Sequence, residues 1–362
     1  MTTIRNAARA AMAIAALASA RVTHAQDGPS FVLDAGARRQ VIDSIDVFLA
    51  AEYVAPAVAR EIRDDLAARL ASGAYDSVTD PALFASTLTA QLRAVSHDAH
   101  LRVRFSAAAL PAMGLNIDPP PSVTARQRVT SRAVNYGFEH AERLIGNVGY
   151  LEIRLFNYEG DEMRRALASA MSFLANTDAL IIDLRRNTGG HRAMVEDVAS
   201  YFFADSSVLL NSVYWRFADT TEQSYTRRVD PASRYGVTRP VYILTSRTTF
   251  SAAETFAYSL QALKRAVIVG DTTGGGANSG GERRINEHFA LWVPRGRVFS
   301  PVTNSNWEGV GVIPDVPTRA EDAQGVAHLA ALEWLMAHAT TAQGKQDVQR
   351  ALDAVRPGAR QP

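Results

Sequence analysis

Apolar positions change their spacing part-way along the chain. From about Ser30 to Phe105 they recur at helical intervals. In "RRQVIDSIDVFLAAEYV" Val41, Ile45, Val47 and Phe48 fall on one stripe, and in "AREIRDDLAARLASG" Ile62, Leu66 and Leu70 stand at i, i+4 and i+8. Gly73 ends the second segment as a C-cap. The third segment, "DPALFASTLTAQLRAVS", opens on Asp80 as N-cap, with Pro81 at the first helical position. Three amphipathic helices joined by short links predict a small bundle.

From Pro111 to Val123, "PAMGLNIDPPPSV" has no period and reads as a linker or loop. Beyond it, short apolar runs alternate with helical patterns. "NVGYLEIRLF", "ALIIDLRRN", "PVYILTS" and "AVIVGD" are strand-like; "DEMRRALASAMSFLANT", "GGHRAMVEDVASYFF" and "AAETFAYSLQALKR" are helical. This repetition predicts an α/β core built from crossovers. "EHFALWVPRGRVFSP" predicts a hairpin centred on Pro294-Arg295-Gly296, and "TTAQGKQDVQRALDAVRPGARQP" a polar helix with a frayed tail. The resulting division is a leader at 1–25, a helical bundle at 26–106, a linker or short hairpin at 107–145, the core at 146–340 and a polar tail at 341–362.

Composition narrows the classes. A chain of 362 residues with 47% hydrophobic and 21% charged residues has material for a large soluble core. A formal net charge of +1 gives no field that would favour nucleic acid or an anionic membrane. The absence of cysteine removes disulfides, zinc–thiolate sites and a Cys nucleophile. At the N-terminus, Arg5 and Arg9 precede the apolar run Ala10 to Ala20 and the small residues of Thr23-His24-Ala25. The run is too short to span a bilayer, so a cleaved secretory signal and an exported, periplasmic or secreted protein are expected. An uncleaved anchor or an Ala-rich amphipathic helix is the alternative. The eight His are scattered and form no H-E-x-x-H pattern, so neither a metal nor a cofactor is expected.

Candidate chemistry lies where strands give way to helices. In "TTFSAAETF" Ser251 follows the strand "PVYILTS" and precedes a helix, the position at which open α/β sheets present ligands. The Ala252 N–H, orphaned at the helix start, is suited to stabilise an oxyanion. The same stretch is also a capping box, with Glu254 three residues after Ser251. In "IIDLRRNTGGH" the Gly189-Gly190 pair permits close backbone approach; it offers a second oxyanion N–H, and equally a tight turn or phosphate cradle. His191 adjoins it as a cleft-lining residue. "GDTTGGGANSGG", with Gly275 and Gly276, lacks the G-x-G-x-x-G spacing and reads as a flexible loop beside a site.

"LIIDLRRNTGG", "VYILTSRTTFSAAETFAYSLQALKRAVIVGDTTGGGA" and "NWEGVGVIPDV", in that order, resemble the C-terminal processing (tail-specific) peptidase family. The likeness is strongest to the branch of the tricorn core protease and the interphotoreceptor retinoid-binding protein repeats, and it covers roughly Gly146 to Val316. It implies a β/α core like the ClpP/crotonase spiral behind a small helical bundle. The gap from Ser106 to Gly146 is too short for the PDZ domain that many members carry there.

The resemblance sets Ser251 on the family nucleophile. Part of the family pairs it with a Lys in the loop after the next strand, but that loop here holds none. The two lysines, Lys264 and Lys345, lie on the far end of the following helix and in the tail. The tricorn-like branch instead uses Ser, His and Glu. "SHDAH" matches its Asp-Gly-His motif with Ala99 for Gly, which implies His100 as base, with His97 as its competitor in a shifted register. In "NWEGVGVIPD" Glu308 fits the carboxylate that orients the base. Gly189 and Ala252 become the oxyanion donors, and Gly190, His191, Gly275 and Gly276 the cleft. Asp183 and Arg185 are expected to be structural. The implied activity is that of a serine peptidase acting on peptides or proteins through an acyl-enzyme. Rival readings are a binding module for an apolar ligand or peptide, and a non-peptide esterase. The sequence leaves the oligomeric state open.

Overall fold

Helices α1 (Ala35–Glu52), α2 (Pro56–Ala71) and α3 (Pro81–Ser96) lead directly into strand β1 (Arg102–Phe105) in the computed structural model, which describes residues 31–111, 129–157, 160–204 and 207–356. The expected leader lies outside these residues. Helix α3 begins as its sequence dictates: Asp80 Oδ1 accepts from the N–H groups of Ala82 and Leu83, and Pro81 follows. The buried face of α1 includes Val41, Ile42, Ile45 and Leu49, so Val41 and Ile45 of the expected stripe lie on it, whereas Val47 is 63% exposed. A helix of 3.6 residues per turn cannot turn Val41 and Val47 to the same side.

The core is a six-stranded sheet in the order β11-β8-β7-β4-β3-β2. Its strands are β2 (Phe138–Leu144), β3 (Val148–Ile153), β4 (Ala179–Asp183), β7 (Val241–Thr245), β8 (Val267–Gly270) and β11 (Val316–Pro317). All neighbours are parallel except the β2–β3 pair. The sheet therefore begins at Phe138, inside the stretch expected to be a linker or short hairpin. β2 is a hairpin arm, but it continues the large sheet.

Both faces of this sheet are covered, which is why its strands read as unbroken apolar runs. Leu180, Ile182 and Ile243 pack with α4 (Asp161–Leu174), α5 (Arg192–Ala199) and α6 (Ala252–Ala262), through Met163, Leu167, Val195, Phe256 and Leu260. Ile181, Tyr242 and Leu244 face Ala327, Ala331 and Leu332 of α7 (Ala323–His338) and Leu352 of α8 (Ala342–Val355). The polar terminal segment is thus a docked helix with a buried Leu352 up to Val355.

A second sheet holds β1, β5 (Leu209–Trp215), β6 (Thr220–Tyr225), β9 (Ser279–Arg284) and β10 (Phe289–Phe299). The expected hairpin at Pro294-Arg295-Gly296 is one eleven-residue strand, β10. A register shift between Pro294 and Gly296 absorbs the extra residue. Arg295, at the shift, pairs with Glu52 at the end of α1. The β5–β6 hairpin carried no signal in the hydrophobic pattern. No PDZ-like insertion occurs among the described residues.

The bundle and second sheet meet through aromatic edges. The wholly buried Phe84 ring of α3 lies 5.5 Å from Tyr75 and 6.2 Å from Phe289 of β10, both T-shaped. Phe84→Ala should lower stability by about 3–5 kcal/mol, read as a shift of the denaturant midpoint. The transition should stay single, because the ring joins the helices to the sheet.

Candidate functional site

Two turns leave the carboxyl ends of the paired strands β4 and β7. They are sewn together by main-chain and hydroxyl bonds. Phe250 N–H donates to Asn187 O at 3.0 Å, Thr249 Oγ1 to Leu184 O at 2.8 Å and Ser246 Oγ to Arg185 O at 2.5 Å. This junction at the strands' carboxyl ends is where α/β sheets bind ligands. Asp183 and Arg185 are structural neighbours of it: the guanidinium lies 2.5 Å from the carboxylate, which also accepts the Tyr150 hydroxyl at 2.6 Å.

Glycine is required in the first turn. A Cβ on Gly189, at φ +109°, would lie 2.8 Å from Ser251 Cβ and 3.1 Å from Ala252 N; one on Gly190 would lie 1.8 Å from Phe156 O. The turn therefore touches Ser251 with bare backbone. One expectation needs correction. The Gly189 N–H is donated to the buried Asn187 Oδ1 at 2.8 Å, so it is already satisfied and not a free oxyanion donor. Gly190 and His191 are exposed at the same turn, with His191 at the N-cap position of α5.

Ser251 caps α6 with φ 55° and ψ −118°, a conformation that non-glycine residues avoid. Holding it costs on the order of 1–3 kcal/mol, and such strain gathers at functional sites. Its backbone N–H donates to Glu254 Oε2 at 2.7 Å. Glu254 is fully buried and also accepts from Thr273 Oγ1 at 2.5 Å, Gly275 N–H at 2.7 Å and Gly276 N–H at 2.9 Å. Burial raises its pKa, and these four donors oppose the shift. Ala252 is the first residue of α6, so its N–H has no intrahelical acceptor.

The segment after α3 supplies the imidazole. His97 is the C-cap, exposed and in the left-handed conformation at φ 56°. The His100 side chain is only 9% exposed, and its ring packs on Phe250, the residue before Ser251, with centroids 4.6 Å apart. A Cβ on Gly276 would strike both rings, at 2.3 Å from Phe250 Cζ and 2.7 Å from His100 Cε1. His100 Nδ1 is enclosed, lacks a hydrogen-bond partner and lies 3.8 Å from Asp98 Oδ1.

Glu308 reaches the same region from the opposite end of the chain. Its Oε2 accepts from Ala277 N–H at 2.6 Å and Asn278 N–H at 2.8 Å, while Oε1 is enclosed and unpartnered. The expected flexible glycine loop is thus pinned between two carboxylates, Glu254 and Glu308. Gly275 belongs to that pinning: its carbonyl also accepts Gly309 N–H at 2.8 Å.

Burial pushes the two titratable partners in opposite directions. The His100 pKa falls to about 4, mainly through burial and with help from Arg102 and Arg93, against the pull of Asp98. The Glu308 pKa rises to about 7, first through burial and next through the neighbouring Asp98 charge, against the two backbone N–H donors. The site thus offers a neutral imidazole, a carboxyl group titrating near neutrality, a hydroxyl on a strained backbone and a helix-start N–H without an intrahelical acceptor.

In the structure His100 packs on Phe250, the residue before Ser251, and the Gly276–Asn278 segment runs from those rings to the Glu308 carboxylate. Sequence reasoning gave Glu254 only its capping role and gave Asp98 none. The signal for Glu254 was visible as the S-x-x-E spacing, but only the fold shows its reach to the glycine loop. Asp98 stood in the same short motif as His100.

A model of peptidase family S41 matches residues 147–318, and one of the N-terminal domain of peptidase S41 in eukaryotic IRBP matches residues 35–138. Carboxyl-terminal-processing peptidase 2, chloroplastic, of Arabidopsis thaliana is 27% identical over 172 residues, 47% of this chain and 32% of that protein. The chain spans about a third of that relative's length. Among solved structures, a peptidase from Parabacteroides merdae described as putative superposes with a TM-score of 0.54 at 17% identity, covering 78% of this chain and 90% of that one. Mature CPAF superposes at 0.55 and 12% identity, covering 84% and 99%. At these identities the structural likenesses concern the fold.

Gly276→Ala should displace the packed His100 and Phe250 rings. A loss of more than about 1 kcal/mol in stability is expected, because no flexible side-chain end is there to yield. Denaturant titration checks it, and an unchanged midpoint would show that the rings are free to move.

Proposed function

The chain belongs to peptidase family S41, and from that premise we propose that it is an exported serine peptidase using Ser251, His100 and Glu308. The observation that carries this reading is two enclosed polar atoms, one on each proposed partner, left without hydrogen bonds around a strained serine. His100 Nδ1 and Glu308 Oε1 are both enclosed and unpartnered, although burying an unsatisfied polar atom costs about 1–3 kcal/mol. Packing alone gives no reason to keep both. Export rests on the N-terminal pattern.

In this reading the neutral imidazole takes the Ser251 proton as Oγ attacks the substrate carbonyl. The resulting imidazolium is stabilised by Glu308 in its ionised form. The oxyanion is received by Ala252 N–H at the start of α6 and by a second donor from the adjacent glycine turn, where Gly190 is the exposed candidate. His100 then passes its proton to the leaving amine, and water hydrolyses the acyl-enzyme by the same route. Peptides or proteins are the substrate class that the family suggests.

A fluorophosphonate should label Ser251 in the wild type and leave Ser251→Ala unlabelled. His100→Ala should slow labelling by about a hundredfold or more. An unlabelled wild type, or equal labelling in His100→Ala, would favour the binding-module reading. The pH profile has a definite sign. Activity needs the Glu308 carboxylate, so the labelling rate should rise with pH through about 7. In Glu308→Gln that limb should vanish, leaving a slower rate that stays flat until His100 protonates towards pH 4. A limb near 7 that survives the substitution would remove Glu308 from the role.

A further inference from the structure

We propose that Asp98 is a second positioning carboxylate for the base, holding the His100 imidazole by its Nδ1 edge. The proposal rests on Ser251 and His100 acting as nucleophile and base. Among the described residues, Asp98 is the one carboxylate within 4.0 Å of a ring nitrogen of His100. Its Oδ1 accepts the His100 backbone N–H at 2.9 Å and faces the same residue's Nδ1 at 3.8 Å. One oxygen thereby fixes both the main chain and the ring edge of the base.

A simple turn would explain the bond to the backbone N–H, since an Asp commonly closes such a turn two residues on. It does not explain the other oxygen. Asp98 is 2% exposed, and its Oδ2 accepts from Tyr53 OH at 3.3 Å and Asn278 Nδ2 at 3.2 Å. Tyr53 caps α1, and Asn278 comes from the loop between β8 and β9. Three separate elements thus converge on one enclosed carboxylate. Asn278 also ties the two acids together, since its backbone N–H donates to Glu308 Oε2 while its side chain donates to Asp98.

The consequence is a defined tautomer. With Nδ1 enclosed against Asp98, the proton of the neutral ring resides there and Nε2 carries the lone pair. Nε2 receives the Ser251 proton, and the imidazolium so formed has its Nδ1–H edge towards Asp98, with Glu308 completing the anionic side. Arg93 and Arg102 act on the ring with opposite sign. Asp98 also raises the Glu308 pKa, so the limb near pH 7 reports on both acids.

The test measures labelling of Ser251 by a small alkyl fluorophosphonate across pH in the full chain. In Asp98→Asn the rate should fall at least about tenfold, and the limb should move to lower pH because the charge beside Glu308 is gone. An Asp98→Asn protein with unchanged rate and unmoved limb overturns the inference and leaves the Ser251–His100–Glu308 reading standing. A wild type that is not labelled at all overturns that reading instead. If Asp98→Asn shows no folded transition on heating, Tyr53→Phe decides. Removing that donor should still slow labelling several-fold, and an unchanged rate overturns the proposal.

Discussion

The site depends on a carboxylate that takes no part in the proposed chemistry. Glu254, buried in the first turn of α6, accepts hydrogen bonds from Ser251, Thr273, Gly275 and Gly276. A negative group at a helix N-terminus is favoured by the helix dipole, and four donors offset its desolvation. Remove it and two things loosen together: the strained Ser251 turn and the loop that carries Gly276 against the His100 and Phe250 rings. That loop also presents the Ala277 and Asn278 N–H groups to Glu308. The Trp307 indole, bonded to the Gly276 carbonyl at 3.1 Å, fastens it from the other side. Geometry at Ser251 and at Glu308 thus has one common anchor.

Around that anchor, burial does the electrostatic work. The same low-polarity setting that keeps His100 neutral holds Glu308 partly protonated near neutral pH. The imidazole therefore stays neutral while the carboxyl keeps its proton up to about neutral pH, and neither group is free to be solvated. Asp98 biases the balance because it favours protonation of both neighbours. The unpaired atoms that result are a liability for stability alone, which fits a site selected for chemistry.

How much of this was legible in the sequence follows from distance along the chain. The apolar strand runs and the strand-to-helix junctions at Gly189 and Ser251 are local signals, and the fold keeps them where the pattern put them. Only the family-like motifs nominated His100 and Glu308, across long gaps that local pattern cannot bridge. Three features stayed hidden for physical reasons. A β-bulge in β10 looks like a turn because Pro294 and Gly296 flank a single extra residue. The "GDTTGGGANSGG" segment looks slack because glycine has no side chain, yet its N–H groups are what two carboxylates grip. The Gly189 N–H looked free because nothing in sequence shows that Asn187, two residues earlier, folds back onto it.

A crystal structure of the protein phosphonylated by a fluorophosphonate tests the central claim most directly. The account predicts phosphorus on Ser251 Oγ and a phosphoryl oxygen about 2.7–3.1 Å from Ala252 N. His100 should remain packed against Phe250, with Nδ1 on the side of Asp98 and Glu308. A phosphoryl oxygen pointing away from the α6 N-terminus, or an imidazole withdrawn from Ser251 with both carboxylates elsewhere, would contradict it.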